Sequence, residues 1–513
     1  MILQEIFLLL MFLALFAGIL SGVPAMLAIA GMPLLIAIVG SLFGAFDLGF
    51  LNFFPARIWG IMTNSLLMAV PLFVLMGVLL ERANLAARML TVLARMMGGS
   101  PRGMGLSVLL FSAMIAAATG IIGATIVMLV MVSLKPLLDS GVPASRASGL
   151  ICASGTLGQI IPPSILLVLL GDQIGNTYME AQQRAGNFAP SAVSVGDLFA
   201  GALVPGLLLV AIYGVYLAFV LRPAKGAPAR ARERVPAADV VFTFLPPMLL
   251  ILAVLGSILA GVATATEAAG LGAVGALLMA AFLAEKNPLG RTVLVMAGLA
   301  AFSLVALRMA GLDRAAPGSP AGMTAILAAF LITAGTLLAS WRLWRSRVLQ
   351  ETLSETMKIS GMVFGIVIAA SLLALVFRGF GGDRIVTALL QGLPGGEFGA
   401  LMMVMLLVFL LGFILEAVEI IYIVVPLLGP AILGGDISPV WFGVLLAMNL
   451  QTSFLTPPFG FALFYFRSVA PRTISTGAIY RGVIPYVILQ LIALALLILV
   501  PDLVTWLPSK IFG

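Results

Sequence analysis

Two diprolines lie deep inside apolar runs, GQIIPPS at residues 158–164 and SFLTPPF at 453–459, with Pro162 and Pro457 295 residues apart. Each pair removes two backbone N–H donors, so neither run can fold as one unbroken helix. In lipid the freed carbonyls would have no partner, and such backbone survives only where protein or a polar cavity covers it. Stepping back 43 residues from each proline reaches a second pair of polar interruptions, Thr119 in ATGIIGAT (118–125) and Ile414 beside LEAVEI (415–420). Identities in this register are few: Leu106 with Leu401, Ile126 with Ile421, Val130 with Val425, and the prolines. The repeat therefore rests on its pattern of breaks, and matched breaks in two halves point to a secondary transporter.

Composition sets the solvent. With 62% hydrophobic and 9% charged residues and a mean hydropathy of +1.21, the 513-residue chain reads as a polytopic membrane protein. The net charge of +7 would suggest nucleic acid in a soluble chain, but here the arginines gather in short loops between spans. A single cysteine, Cys152, allows no internal disulfide, and the absence of histidine excludes imidazole relays and most zinc or haem sites. The first apolar run has no basic n-region and reads as a span rather than a signal peptide.

Ten spans are expected at about 2–20, 23–43, 66–80, 199–221, 242–260, 265–284, 293–307, 323–343, 357–377 and 483–500. Residues 104–118 and 125–138, which flank the first tip, reach only about 20 to 22 Å each, short of a ~30 Å hydrocarbon core. They are expected to form a re-entrant hairpin, as are residues 399–414 and 421–433. The stretches 143–172 and 438–467 are long enough to cross with a diproline kink, as two broken helices. The expected fold class is an all-α polytopic membrane protein with an inverted repeat. Its divisions are scaffold spans and an arm (1–103), a first hairpin with broken helix (104–172), and connecting scaffold spans (173–284) with a basic cytoplasmic loop (222–238). A two-span insertion (285–350), a scaffold span of the second repeat (351–396), a second hairpin with broken helix (397–467) and a C-terminal span (468–513) follow.

Charge tests the arrangement. If the loop carrying Arg88, Arg95 and Arg102 is cytoplasmic, alternation also puts 222–234, then Arg342, Arg345 and Arg347, then Arg467, Arg472 and Arg481 inside. Seven crossings separate the hairpins, so they enter from opposite faces, as an inverted repeat requires. Both termini and the polar loop 172–197 then lie outside.

Glu416 and Glu419 sit in the second tip. A carboxylate at the bilayer centre costs at least about 2.5 to 3.5 kcal/mol, which calls for a cation, a proton or a structural partner. One reading is a Na⁺ site completed by backbone carbonyls and by Asn449, Gln451, Thr452, Ser453 and Thr456 beside Pro457 and Pro458. The other is a carboxyl that caps the following helix or pairs with an arginine. The first tip has no acid, only Thr119, Gly120, Gly123 and Thr125, facing Ser154, Gly155, Thr156, Gly158, Gln159, Pro162, Pro163 and Ser164. Hydroxyls and free carbonyls suit a weak cation site, and bare N–H groups at half-helix starts suit an anionic group. Thr264 and Glu267 have the spacing of a capping box that opens the next span. No Walker loop, GxSxG elbow or zinc spacing is present, and no cofactor is expected.

The segments PLFVLMG (71–77), ATGIIGAT, ICASGTLGQIIPPSILL (151–167), GVATATEAAGLGA (261–273) and WFGVLLAMNLQTSFLTPPFGFALFY (441–465) resemble the large membrane subunit of tripartite ATP-independent periplasmic (TRAP) transporters. The resemblance implies a Na⁺-driven elevator in a bacterial inner membrane. It also implies a small membrane subunit and a soluble periplasmic binding protein that delivers a solute, usually an organic acid. Its sodium and substrate region falls on Thr119, Gly120, Gly123 and Thr125, on 155–164 and on 449–458. The first tip reads ATGII where the family has a serine-rich motif, and residues 285–350 resemble the extra spans of a long subgroup. A self-sufficient Na⁺- or H⁺-coupled anion symporter of the same fold is the near alternative. An intramembrane enzyme using Glu416 and Glu419 as an acid/base pair, or a non-transporting scaffold, is a distant one.

Overall fold

The computed structural model describes residues 2–83, 85–98, 100–221, 235–312 and 318–513. Nearly all of the expected basic loop 222–238 and residues 313–317 between the two spans of the 285–350 insertion lie outside the described residues. The N-terminal quarter comprises α1 (Ile2–Leu20), α2 (Ala25–Leu42), α3 (Phe54–Met62), α4 (Ala69–Arg82) and the short α5 (Leu85–Met97). The first interrupted region follows as α6 (Pro101–Thr119), α7 (Ile122–Leu129), α8 (Lys135–Asp139), α9 (Ala144–Thr156) and α10 (Ile165–Arg184). Then come α11 (Val195–Val220), α12 (Ala237–Leu259), α13 (Ala265–Ala284), α14 (Pro288–Met309), α15 (Pro320–Arg345), α16 (Val348–Gly379) and α17 (Gly382–Gln391). The second interrupted region is α18 (Gly396–Leu411), α19 (Ala417–Ile432), α20 (Pro439–Leu455) and α21 (Phe461–Val469), and α22 (Thr476–Leu499) and α23 (Asp502–Ile511) close the chain.

Each expected span is a helix, and ten helices are long and apolar enough to cross a membrane among the described residues, or eleven if a bent pair counts. That pair was half missed: the expected span 66–80 is preceded by a helical stretch, Leu48–Met62, and the two meet at 56°. Two further boundaries are corrected. The stretch expected as a short hairpin arm at 125–138 runs as one 18-residue helix, Ile122–Asp139, which is long and apolar enough to cross a membrane, so the expectation that it is too short to span does not hold. A π-turn at Val130–Leu134 lies just ahead of Pro136, where a proline would otherwise break the hydrogen-bond ladder. The polar stretch 172–197 is not all loop, because α10 continues to Arg184 before Ser194 and Asp197 open α11 with reciprocal capping bonds. The Thr264 and Glu267 box forms as expected, with Thr264 N–H donating to the Glu267 carboxylate at 2.8 Å and Glu267 N–H to Thr264 Oγ1 at 3.2 Å.

The broken helices occupy the centre. Every residue from Ala147 to Thr156 of α9 and from Trp441 to Leu455 of α20 is buried, whereas the windows of α14 and α15 are only 17% buried. Protein rather than lipid therefore surrounds most of the interrupted backbone. The two halves interleave: α9 packs on α22, α21 on α7 and α10 on α19, while α11 touches α6, α20 and α22. Gly149 and Gly482 make the α9–α22 crossing possible, since a Cβ on either would run into the other helix's backbone. On the flank, α4 packs on α13 and α16, α16 on α2, and α14 on α15.

Candidate functional site

Both tips and both breaks open onto one cavity of about 120 Å³. The first half contributes Gly120, Gly123, Gln159 and Ile165, and the second contributes Glu416, Ala417, Phe461 and Tyr465. Val74 of α4 and Ile359 and Met362 of α16 form the opposite wall.

Four helices begin at this cavity. First-turn residues Ile122 and Gly123 of α7, Ile165 and Leu166 of α10, Ala417 and Val418 of α19, and Phe461 of α21 all line it. Ile121, Ser164 and Gly460, which precede α7, α10 and α21, make no side-chain capping bond. The first N–H groups of those helices thus lack an intrahelical partner and carry the positive end of the helix dipole. Gly120 ends α6 in the left-handed region at φ 62°, and a Cβ there would come within 3.1 Å of the Ile165 nitrogen. Only glycine meets both demands. Thr119 is the last residue of α6, and its side chain lies outside the described residues.

Both tip acids belong to the capping box that opens α19, Glu416 at its N-cap and Glu419 in its first turn, but only Glu416 reaches the cavity. Glu416 lines the cavity and its Oε1 accepts a hydrogen bond from the Tyr465 hydroxyl at 3.2 Å. Glu419 is 4% exposed and folds back, its Oε2 accepting from the Glu416 backbone N–H at 3.2 Å, so it caps α19. Tyr465 joins the halves: its ring also fills the space beside Gly123, where a Cβ would lie 2.8 Å from it. Gln159 is 4% exposed, lines the cavity and leaves Oε1 without a hydrogen-bond partner. Its backbone carbonyl accepts from Ser164 Oγ at 3.1 Å, bridging the first break.

The remaining expected residues are near but not at the cavity wall. The hydroxyls of Thr125, Thr156, Thr452, Ser453 and Thr456 donate to carbonyls of their own segments, Thr125 to Ile121 O at 2.7 Å and Thr456 to Thr452 O at 2.7 Å. Asn449 Nδ2 donates to Met405 O at 2.6 Å and ties α20 to α18. Gly155 and Gly158 serve close packing, Gly158 with room for a Cβ only 3.3 Å from the Ala116 carbonyl. Ser154 Oγ and both polar atoms of Gln451 are buried and unpartnered. Around them lie Thr156, which accepts from Gln490 Nε2 at 3.4 Å, and Tyr213, edge-on to Tyr486 at 5.0 Å. The Pro162–Pro163 and Pro457–Pro458 bonds are both cis.

Sequence reasoning missed Tyr465, whose signal was its place close after the second diproline, and Asp172, assigned to a loop. Asp172 lies in α10 and accepts from Asn64 Nδ2 at 2.8 Å and from the Tyr422 hydroxyl at 3.4 Å, linking α10 and α19 to the bend before α4. An acid flanked by LLVLLG and QIG was the readable clue.

Comparison with known proteins agrees with this architecture. The model of the family described as tripartite ATP-independent periplasmic transporter, DctM component, matches residues 9–312 and again 299–503, its two matches meeting inside the 285–350 segment. The C4-dicarboxylate TRAP transporter large permease protein DctM of Vibrio cholerae is 26% identical over 456 residues, covering 87% of this chain and 86% of that protein. The isethionate TRAP transporter permease protein DctMQ of Oleidesulfovibrio alaskensis is 25% identical over 443 residues, covering 85% of this chain and 57% of that protein. The crystal structure of the Alcanivorax borkumensis YdaH transporter superposes with a TM-score of 0.52 at 15% identity, covering 90% of each chain, which is a likeness of fold. The relatives are permease proteins of transporters, and the enzyme reading of Glu416 and Glu419 is set aside. The chain belongs to the DctM component family of the tripartite ATP-independent periplasmic transporters, as a multi-pass membrane permease subunit.

Proposed function

We propose that this permease couples an inward Na⁺ gradient to uptake of a small organic anion across a bacterial inner membrane. The observation that carries the reading is the convergence of both tips and both breaks on one cavity. Uncapped starts of α7, α10 and α21 favour a carboxylate or similar anion there. Glu416 and the free Gln159 Oε1 offer oxygen ligands for Na⁺ around the same space. With Glu416 and the solute both negative, more than one Na⁺ is needed to bring the loaded site near neutrality, which lowers the cost of carrying it through a low-dielectric medium.

In this reading α6–α8 and α18–α19 are hairpins re-entering from opposite faces. With the broken helices they form the transport domain (104–172 and 397–467), α11 and α22 packed on it. That unit slides as an elevator against α4 and α16, which wall the cavity from the scaffold side. Both termini face the periplasm. The solute is delivered by a soluble periplasmic binding protein, and a small membrane subunit completes the complex. The related DctMQ protein, in which this chain's counterpart is part of a longer polypeptide, supports a membrane partner. Dicarboxylate and isethionate in the relatives' names support an anionic solute.

The test is uptake into proteoliposomes holding the chain and its small partner, with and without a Na⁺ gradient and with and without the binding protein. Uptake that needs both is expected. Uptake with Na⁺ alone would make the chain a self-sufficient symporter, and uptake indifferent to Na⁺ would remove the coupling.

A further inference from the structure

We propose that the two-span segment builds a binding site for one acyl chain of an anionic phospholipid. Between α12, α13 and α14 lies a groove of about 470 Å³ lined only by apolar side chains and glycines, Phe242, Leu249, Leu271, Gly298 and Phe302 among them. It exists because α13 packs on both neighbours while α12 and α14 scarcely touch each other. Gly298 deepens it: no atom lies within 4 Å of where its Cβ would be.

Length selects the occupant. The lining residues of α12 run from Val241 to Ala253. At ~1.5 Å per residue that is about 18 Å, the depth of one leaflet of a ~30 Å core and too short for a partner's spanning helix. The groove starts near the N-termini of α12 and α14 and the C-terminus of α13, so it opens at one membrane face. Charge selects the headgroup. Arg291 donates through Nε to the Glu285 carbonyl at 2.9 Å and holds its guanidinium 5.2 Å over the ring of Phe282, a groove residue, with no ion pair to a carboxylate among the described residues. The nearby acid, Glu285, is taken by Arg342 at 3.0 Å. A positive group beside a one-leaflet apolar slot fits a phosphate headgroup with its chain below. The orientation proposed above makes this the cytoplasmic leaflet, but the binding itself does not depend on transport.

Native mass spectrometry of the full chain purified from bacterial membranes tests this, reading retained phosphatidylglycerol or cardiolipin after detergent exchange. One anionic lipid per chain is expected in the wild type, reduced at least about fivefold by Gly298→Trp, which fills the slot, and losing its preference over phosphatidylethanolamine in Arg291→Gln. Equal retention in wild type and Gly298→Trp, or no retained lipid, overturns the site. Should Gly298→Trp not fold, delipidated wild type is titrated with phosphatidylglycerol or phosphatidylcholine. A saturable rise in melting temperature with the anionic lipid alone supports the site, and equal rises or none overturn it.

Discussion

Around the first diproline residues 161–164 are all buried and Ser164 is 1% exposed, whereas Phe459, its counterpart 295 residues on, is 54% exposed. The first break is sealed by α11, where Gly206 lets the helix come so near that a Cβ would sit 3.3 Å from the Ile161 side chain. The second is held by the Tyr480 hydroxyl, which donates to the Pro458 carbonyl at 3.2 Å, and Pro458 and Phe459 stay open to their surroundings. The tips differ as well: the second carries Glu416 and Glu419, and the first has no acid. The two breaks are matched in sequence position, and their covers are not.

The largest effect is expected where the halves meet. Gly123→Leu would drive a side chain into Tyr465, whose ring lies 2.8 Å from the site of a Cβ. Overpacking of ~1–3 kcal/mol corresponds to roughly 5- to 100-fold in rate, and initial uptake rates should fall by that amount while the protein still inserts. Unchanged uptake would show that the Gly123–Tyr465 contact is not kept during transport.

Next comes the accessibility difference itself. In Cys152→Ser, Phe459→Cys should react with a small maleimide roughly tenfold or more faster than Ser164→Cys, as an open site against a protected one. Na⁺ and solute should narrow that ratio if the two covers exchange. Equal rates at all conditions would mean that the asymmetry is absent from the membrane-embedded protein.

The two tip acids separate by role. Glu416→Gln should weaken the Na⁺ dependence of uptake with little change in melting temperature, because its carboxylate faces the cavity. Glu419→Ala should keep the Na⁺ dependence and lose up to about 0.5–2 kcal/mol of stability, the worth of a helix cap. Reversed results would exchange their roles. The smallest effect belongs to Gly206→Ala: with 3.3 Å to the nearest atom, α11 must yield by a few tenths of an ångström. A slight fall in melting temperature with faster labelling of Ser164→Cys is expected, and no change in labelling would locate the seal elsewhere.

Much of this was legible without coordinates. Nine of the ten expected spans and both diproline breaks were readable because helix length against bilayer thickness and the missing proline N–H are local properties, while 66–80 proved to be one limb of a bent pair and Ile122–Asp139 proved long enough to span. Boundaries were less so. The π-turn before Pro136 carries a helix through a residue that usually stops one, and α10 runs on past Asp172, an acid partnered by Asn64 from the bend before α4 and by Tyr422 of α19. The bend at 62–66 falls on Thr63, Asn64 and Ser65, a polar triplet that by itself reads only as the edge of the span at 66–80.

By itself, the sequence determined that the chain is a helical membrane protein with two interrupted segments in matched places. Hydropathy and proline chemistry act within single turns and need no partner. Tertiary structure alone decided which interrupted residues meet. Glu416 faces the cavity while Glu419 folds back on its helix, Gln159 turns inward while Gln451 is buried elsewhere, and Tyr465 touches both tips, at Gly123 and at Glu416. Those outcomes depend on how helices from two halves interleave, and no pattern of neighbours along the chain encodes that directly.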